Sequence, residues 1–347
     1  MVLLYNFGTA NERESALVPT ATISGNATVC QNASSPVITF TGSGGTAPYT
    51  FTYTLNGILQ PTITTVGTDS TITVPVNTSN PGTFTYSLIN IEDSSTPPES
   101  NTILSQTAVV IVNPLPDATI NGTGSGTFFG GVPVFRICSN TISTFTFTNG
   151  SSTASTINTN YIINWGDGTP NYSSNNWASP LTHTYQVGLW NLVYTIQSSN
   201  GCNVTKNYIV FVGSNPAVSL GNPGNTDICN SNTLTFPITG TINNPPGTTY
   251  TVSFNDDSSP QVFNHPPPSS VTHNFLISSC GVTSSSGTTS FNNSFSANIV
   301  AENPCGVSAI GVVPIYVSTP PIANFTLPIK SCTNTPVCLT NTSSGAN

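Results

Sequence analysis

Four times along this chain a cysteine followed by two small polar residues opens a stretch of alternating large and small side chains. The four openings are Cys30-Gln31-Asn32, Cys138-Ser139-Asn140, Cys229-Asn230-Ser231 and Cys332-Thr333-Asn334, spaced 108, 91 and 103 residues apart. Internal repetition decides the whole architecture of a chain, and an interval of about a hundred residues is the length of one two-layer β-sandwich. Just before each opening lies a Pro-containing joint: Val18-Pro19, Val112-Asn113-Pro114-Leu115-Pro116, Val212-Gly213-Ser214-Asn215-Pro216 and Val317-Ser318-Thr319-Pro320-Pro321. These predict short, stiff linkers. The resulting plan is an N-terminal segment 1–19, sandwiches over 20–114, 115–213 and 214–318, and the start of a fourth over 319–347. Because that fourth unit stops early, the chain is expected to be a piece of something longer.

Composition supports β structure and narrows the function. Only 5% of the 347 residues are charged, against about 25% in an ordinary globular protein. Four Lys and Arg against twelve Asp and Glu give a net charge of −8, so nucleic acid and anionic membrane would meet no basic surface. The 28 Gly and 28 Pro supply the punctuation of many short strands. The 17 Phe, 11 Tyr and 3 Trp recur in alternation and argue for folded cores over disorder. No apolar run is long enough to span a membrane, and Met1 to Phe7 lacks the basic start of a signal peptide.

The middles of the units also align. The second carries Tyr161, then Trp165-Gly166-Asp167-Gly168-Thr169, Thr182-His183-Thr184-Tyr185 and Ser199-Asn200-Gly201-Cys202; the third answers with Tyr250, Phe254-Asn255-Asp256-Asp257-Ser258, Thr272-His273-Asn274-Phe275 and Glu302-Asn303-Pro304-Cys305. An insertion around Ser278 to Thr289 separates the last two markers of the third unit. Gly82-x-Phe84-x-Tyr86-x-Leu88 in the first unit matches Gly188-x-Trp190-x-Leu192-x-Tyr194 in the second, with the large residues on one buried face.

These motifs resemble the polycystic-kidney-disease (PKD) domain, an immunoglobulin-like sandwich of cell surfaces and secreted enzymes, with the third unit a degenerate copy. In the first unit, Gly44-Gly45-Thr46-Ala47-Pro48-Tyr49-Thr50-Phe51-Thr52-Tyr53 is similar to repeats of the giant SprB-type surface adhesins of gliding Bacteroidetes, exported by type IX secretion. The resemblance implies an all-β fold of tandem immunoglobulin-like (PKD-like) sandwiches in a linear array. It also implies a non-catalytic rod segment of an extracellular, cell-surface adhesin that serves attachment and gliding motility. Its partners would be an extracellular surface or polysaccharide and the secretion or motility machinery at the outer membrane. Accessory modules of a secreted polysaccharide- or protein-degrading enzyme, or a surface filament subunit pairing through edge strands, are the alternatives.

Eight cysteines without a CxxC pair point to disulfides of an oxidising compartment. Equivalence of position in successive units pairs Cys138 with Cys202 and Cys229 with Cys305. Cys30 finds no closing cysteine near Ser100 and is read as a free buried thiol over an intermolecular bridge. Cys332 would await a partner beyond Asn347, and Cys280 and Cys338 have no assignment.

Asp167 with His183 could be part of a hydrolytic or metal site. The pair recurs as Asp256 with His273, however, and a duplicated turn aspartate that binds backbone amides is the better reading. No G-x-S-x-G elbow, H-E-x-x-H or P-loop is present. No cofactor is expected; calcium is a minor possibility through Asp167, or Asp256 and Asp257. Trp165 and Trp190 belong to the core. Tyr172 and Trp177, in the polar stretch Asn171 to Pro180, are the candidates for contact with a sugar or partner, with packing against the sandwich edge the favoured alternative. Asn-x-Ser/Thr tripeptides at Asn26, Asn121 and Asn203 carry little information in so Asn- and Thr-rich a chain. Asp69-Ser70-Thr71 resembles a bacterial O-glycosylation site with Ser70 as acceptor.

Overall fold

The computed structural model describes residues 17–152, 157–328, 330, 333–334 and 336–344. Among them every regular element is a strand. The strands assemble into immunoglobulin-like sandwiches whose sheets draw only on strands within 20–113, within 120–212 or within 219–318, and Phe325–Thr326 pairs with Thr340–Asn341 in a separate two-stranded sheet.

In the first, a sheet ordered Thr20–Ser24, Val37–Ser43, Thr71–Pro75 faces one ordered Ala27–Cys30, Ser100–Asn113, Gly82–Glu92, Thr50–Leu55, Ile58–Leu59. Period-two alternation buries one face of each strand: Ile38 and Phe40 from one sheet meet Phe51, Tyr53, Tyr86, Leu88 and Val110 from the other. Each such side chain contributes about 1.5–3 kcal/mol of burial.

The chain enters by crossing from sheet to sheet. Thr20–Ser24 pairs with Val37–Ser43, and after Gly25 and Asn26 the strand Ala27–Cys30 runs parallel to the last strand, with Cys30 opposite Asn113. Gly25 makes this possible: it sits at φ +117°, and a Cβ there would fall 2.3 Å from the Val37 carbonyl oxygen.

The second sandwich repeats the plan. Ile120–Gly122, Ser143–Asn149 and Leu181–Tyr185 form one sheet; Val132–Ile137, Asn203–Val212, Gly188–Ser198 and Asn158–Asn164 run through the other, with Ile137 level with Val212. In the third, Ser219–Leu220, Asn232–Thr239 and Ser270–Phe275 face a sheet in the order Asp227–Cys229, Gly306–Ser318, Phe295–Asn303, Thr249–Phe254, Gln261–Asn264. Its inserted stretch is a hairpin of Thr283–Ser286 with Thr289–Asn292.

The described residues divide into two compact units. The first takes those up to Ala118 together with those of Ser151–Tyr161 and Thr195–Val204; the second takes those of Thr119–Gly150, Ile162–Tyr194 and from Thr205 on. The closing turn of the second sandwich, which carries Cys202, thus belongs with the first sandwich.

Candidate functional site

The cysteines do not staple the sandwiches internally. Cys30 bonds to Cys202 and Cys138 to Cys305, each with 5.7 Å between Cα atoms. This corrects the expected pairs Cys138 with Cys202 and Cys229 with Cys305, and the expectation that Cys30 is a free thiol. The reason is strand direction. Cys138 follows Ile137, level with Val212, whereas Cys202 lies ten residues back along that neighbour strand, about 33 Å away at 3.3 Å per residue. A disulfide needs Cα atoms within about 7 Å. Cys229 sits opposite Ser318, and Cys305 lies thirteen residues before that, at the far pole of its own sandwich. The opening cysteines Cys30 and Cys138 therefore reach the closing cysteine of the next sandwich and not their own.

Each bond sits in a built joint. In the first, the Asn200 side-chain oxygen accepts from the Cys202 amide at 3.0 Å, its amide nitrogen donates to the Pro114 carbonyl at 2.8 Å, and the Asn113 side chain donates to the Asn200 carbonyl at 3.1 Å. Ser198 Oγ donates to the Cys202 carbonyl at 2.8 Å and lies against Asn200 Oδ1. In the second joint, Asn303 Oδ1 accepts from the Cys305 amide at 2.9 Å while Asn303 Nδ2 donates to the Ser214 carbonyl and to Thr248 Oγ1, both at 3.1 Å. Arg136 donates to the Pro304 carbonyl. Gly247 presses close to Leu189, where a Cβ would fall 2.5 Å from the leucine's Cβ.

One asparagine thus ties the closing turn to the linker in both joints. The recurring Asn-x-Cys of Asn200 to Cys202 and Asn303 to Cys305 was the signal in the sequence for these groups.

Inside the sandwiches the Asp–His pairs form a second repeated feature. His183 Nε2 lies 2.7 Å from Asp167 Oδ2, and His273 Nε2 lies 2.6 Å from Asp256 Oδ2. The other oxygen of Asp167 accepts from Thr169 Oγ1 at 2.6 Å and its amide at 3.1 Å; that of Asp256 accepts from Ser258 Oγ at 2.6 Å and its amide at 3.3 Å. The imidazoles stack on Trp165 at 4.2 Å and Phe254 at 3.8 Å between ring centroids. Both oxygens of each carboxylate are engaged by protein donors. Among the described residues no group of three or more His, Cys, Asp or Glu could hold a metal ion. In the first sandwich Asp93 plays a like part, accepting from the amides of Thr46 and Glu99 at 2.8 Å.

Burial pushes the carboxyls of Asp93, Asp167 and Asp256 up, but their hydrogen bonds outweigh it and hold all three below the usual 3.8. A carboxyl depressed in the folded chain stabilises it fully above the unfolded value and loses that contribution as pH falls through the folded one. The urea midpoint read by tryptophan fluorescence is therefore expected to drop steeply below about pH 4. Asp167→Asn is expected to flatten that drop. Asp167→Ala is expected to cost the second sandwich about 3 kcal/mol at neutral pH, the scale of a few hydrogen bonds to a charged group. An unchanged midpoint would show the clip to be idle.

The loop candidates separate. Trp177 takes the packed arrangement and not ligand contact: it is 4% exposed, its indole edge-on to Tyr194 at 5.7 Å while its ring N–H donates to the Ser179 carbonyl at 2.9 Å. Tyr172 is half-buried on an edge strand, 6.0 Å from that indole. Trp165 is buried, and Trp190 is half-buried with its ring N–H on the Gln186 carbonyl at 3.1 Å. Ser70 is exposed in the connection before Thr71–Pro75. Among the described cysteines, Cys229, Cys280 and Cys338 are unpaired and exposed; Cys332 lies outside the described residues.

No protein-family model matches the chain, and a search of curated proteins finds no match. Solved structures do align. The calcium-stabilised adhesin with which an Antarctic bacterium binds ice is 13% identical over 88% of this chain and 76% of its own, with a TM-score of 0.28. Fibronectin(III)-like modules of Clostridium thermocellum CbhA are 14% identical over 56% of this chain and 95% of theirs, at 0.26. A run of titin domains is 11% identical over 87% of this chain and 100% of its own, at 0.26. With scores this low, the fold assignment rests on the strand pairing described above.

Proposed function

We propose that the chain is a structural, non-catalytic segment of a secreted, cell-surface adhesin, and that its distinctive task is to keep successive sandwiches covalently joined under pull. The observation that supports this most directly is that both disulfides tie one sandwich to the next and neither closes a sandwich on itself. A device of that kind protects the connection between modules. Disulfides persist in oxidising compartments, which fits an extracellular site of action. With only four Lys and Arg, trypsin-like proteases find few places to cut.

Attachment to an extracellular surface or polysaccharide would come from weak contacts repeated along many modules and added through effective concentration. The finer reading, a gliding adhesin of Bacteroidetes handled by secretion or motility machinery at the outer membrane, rests on the motif resemblance of Gly44 to Tyr53. Live cells of the source organism labelled with an antibody to residues 115–318 are expected to carry label on the exterior, travelling along the cell as it moves over a solid surface. Fixed label would remove the gliding part, and label in the culture medium alone would overturn the adhesin reading.

A further inference from the structure

We infer that Cys229 is the open half of a third staple, built to take the Asn-x-Cys closing hairpin of a further sandwich of the same repeat. An exposed thiol alone carries no such meaning. What assigns this one is that its two structural equivalents in the same molecule are both bonded, each to the closing cysteine of the sandwich that follows. Cys30 ends a strand that runs parallel to the last strand of its sandwich, opposite Asn113, and Cys229 ends the corresponding strand opposite Ser318. The next amide donates in the same way, Gln31 to the Asn113 carbonyl at 2.8 Å and Asn230 to the Ser318 carbonyl at 2.9 Å.

The residue after that turns left-handed in both places, Asn32 at φ 63° and Ser231 at φ 66°, and each donates its amide across the sandwich, to Thr78 and to Phe275. The backbone that presents the sulfur is therefore the same, while Cys229 is unpaired and exposed.

The occupant follows from the two filled joints. Both closing turns carry an asparagine two residues before the cysteine, whose side chain holds the cysteine amide and a linker carbonyl together. A hairpin with that triplet, on a sandwich joined directly after Ser318, would set its sulfur against Cys229. Closing the bond joins the two sulfurs and passes their two protons and two electrons to a low-molecular-weight disulfide, which is cleaved to two thiols. The inference rests on the bonding at the two joints and not on the adhesin reading, so either can fail alone.

Two measurements test it. In this 347-residue chain, Cys229 is expected to be fully alkylated by iodoacetamide without reduction; a bond from Cys229 to Cys280, Cys332 or Cys338 would overturn the proposal. In a chimera carrying the chain through Ser318 followed by a second copy of residues 114–213, refolded with a low-molecular-weight disulfide, Cys229 is expected to become protected and to map to the copied Cys202. If Cys229 is still alkylated while Cys30–Cys202 and Cys138–Cys305 are intact in the same molecules, or if the copied Cys202 bonds elsewhere, the position is not an acceptor.

Discussion

Pulled from its two ends, the oxidised chain is expected to stretch about a quarter as far between Cys30 and Cys305 as the reduced chain. Along the backbone those residues are 275 apart (305 minus 30), a contour of about 960 Å at roughly 3.5 Å per residue. The two staples offer a shorter covalent route. It crosses from Cys30 to Cys202, returns along the chain to Cys138 and crosses to Cys305, and only 64 residues (202 minus 138) can be drawn out. That route becomes taut at about 220 Å, with every other path still slack.

Staples inside the sandwiches, Cys138 to Cys202 and Cys229 to Cys305, would instead leave 108 residues before the first and 27 between the two, a limit near about 470 Å. Single-molecule stretching with and without a reductant separates the three cases. A limit near 470 Å would restore the within-sandwich pairing, and no response to reductant would remove the staples altogether. The biological consequence is that unfolding of a sandwich under load spends little length and parts no module from its neighbour.

The sandwiches were legible because strand alternation is a local property. Ser143–Asn149 alternates buried and exposed residues from end to end, and the neighbours on the sheet decide little about which side each residue takes. The cysteine pairing was not legible in the same way. Repetition sorts cysteines into openers and closers but does not say which repeat supplies the partner. Pairing within a unit leaves the opener Cys30 over, and pairing with the next unit leaves the opener Cys229 over, so the count favours neither.

The decision lies in strand direction: opener and closer stand at opposite poles of one sandwich because the opener's strand runs parallel to the last strand. That parallel pairing is a tertiary choice, made possible in the first sandwich by Gly25 at the sheet crossing. Trp177 was legible only as a choice between display and packing at the sandwich edge, the latter favoured. Its flanking residues are polar, and what seats the indole is Tyr194, edge-on to it and distant in sequence.

Removing Cys30, which lies in the first sandwich, is expected to destabilise the second by about 4–5 kcal/mol and to leave the first nearly unchanged. Cys30 stands opposite Asn113 in the ladder of the first sandwich, so the staple to Cys202 pins the closing turn of the second sandwich beside the residue from which the chain enters it. While the first sandwich is folded, the bond closes an effective loop of about 89 residues, from Asn113 to Cys202, and the chain-entropy model gives such a loop about 4.6 kcal/mol. The same reasoning makes Cys138, in the second sandwich, a stabiliser of the third, since Ile137 is level with Val212 at the exit to the linker.

The molecule carries its own reporter for this crossover: its 3 tryptophans, Trp165, Trp177 and Trp190, all belong to the second sandwich. Cys30→Ser is expected to lower the urea midpoint of tryptophan fluorescence by about 2 M, for a slope near 2 kcal/mol/M. Cys138→Ser, although made within the tryptophan-bearing sandwich, is expected to leave that midpoint within about 0.5 M and to speed amide exchange in the strands of the third sandwich instead. The reverse outcome, a tryptophan midpoint sensitive to Cys138→Ser and indifferent to Cys30→Ser, would mean that each staple guards the sandwich that opens with it. Stability handed forward, each module holding the next one closed, would make an array whose weakest member is the one that no predecessor clamps.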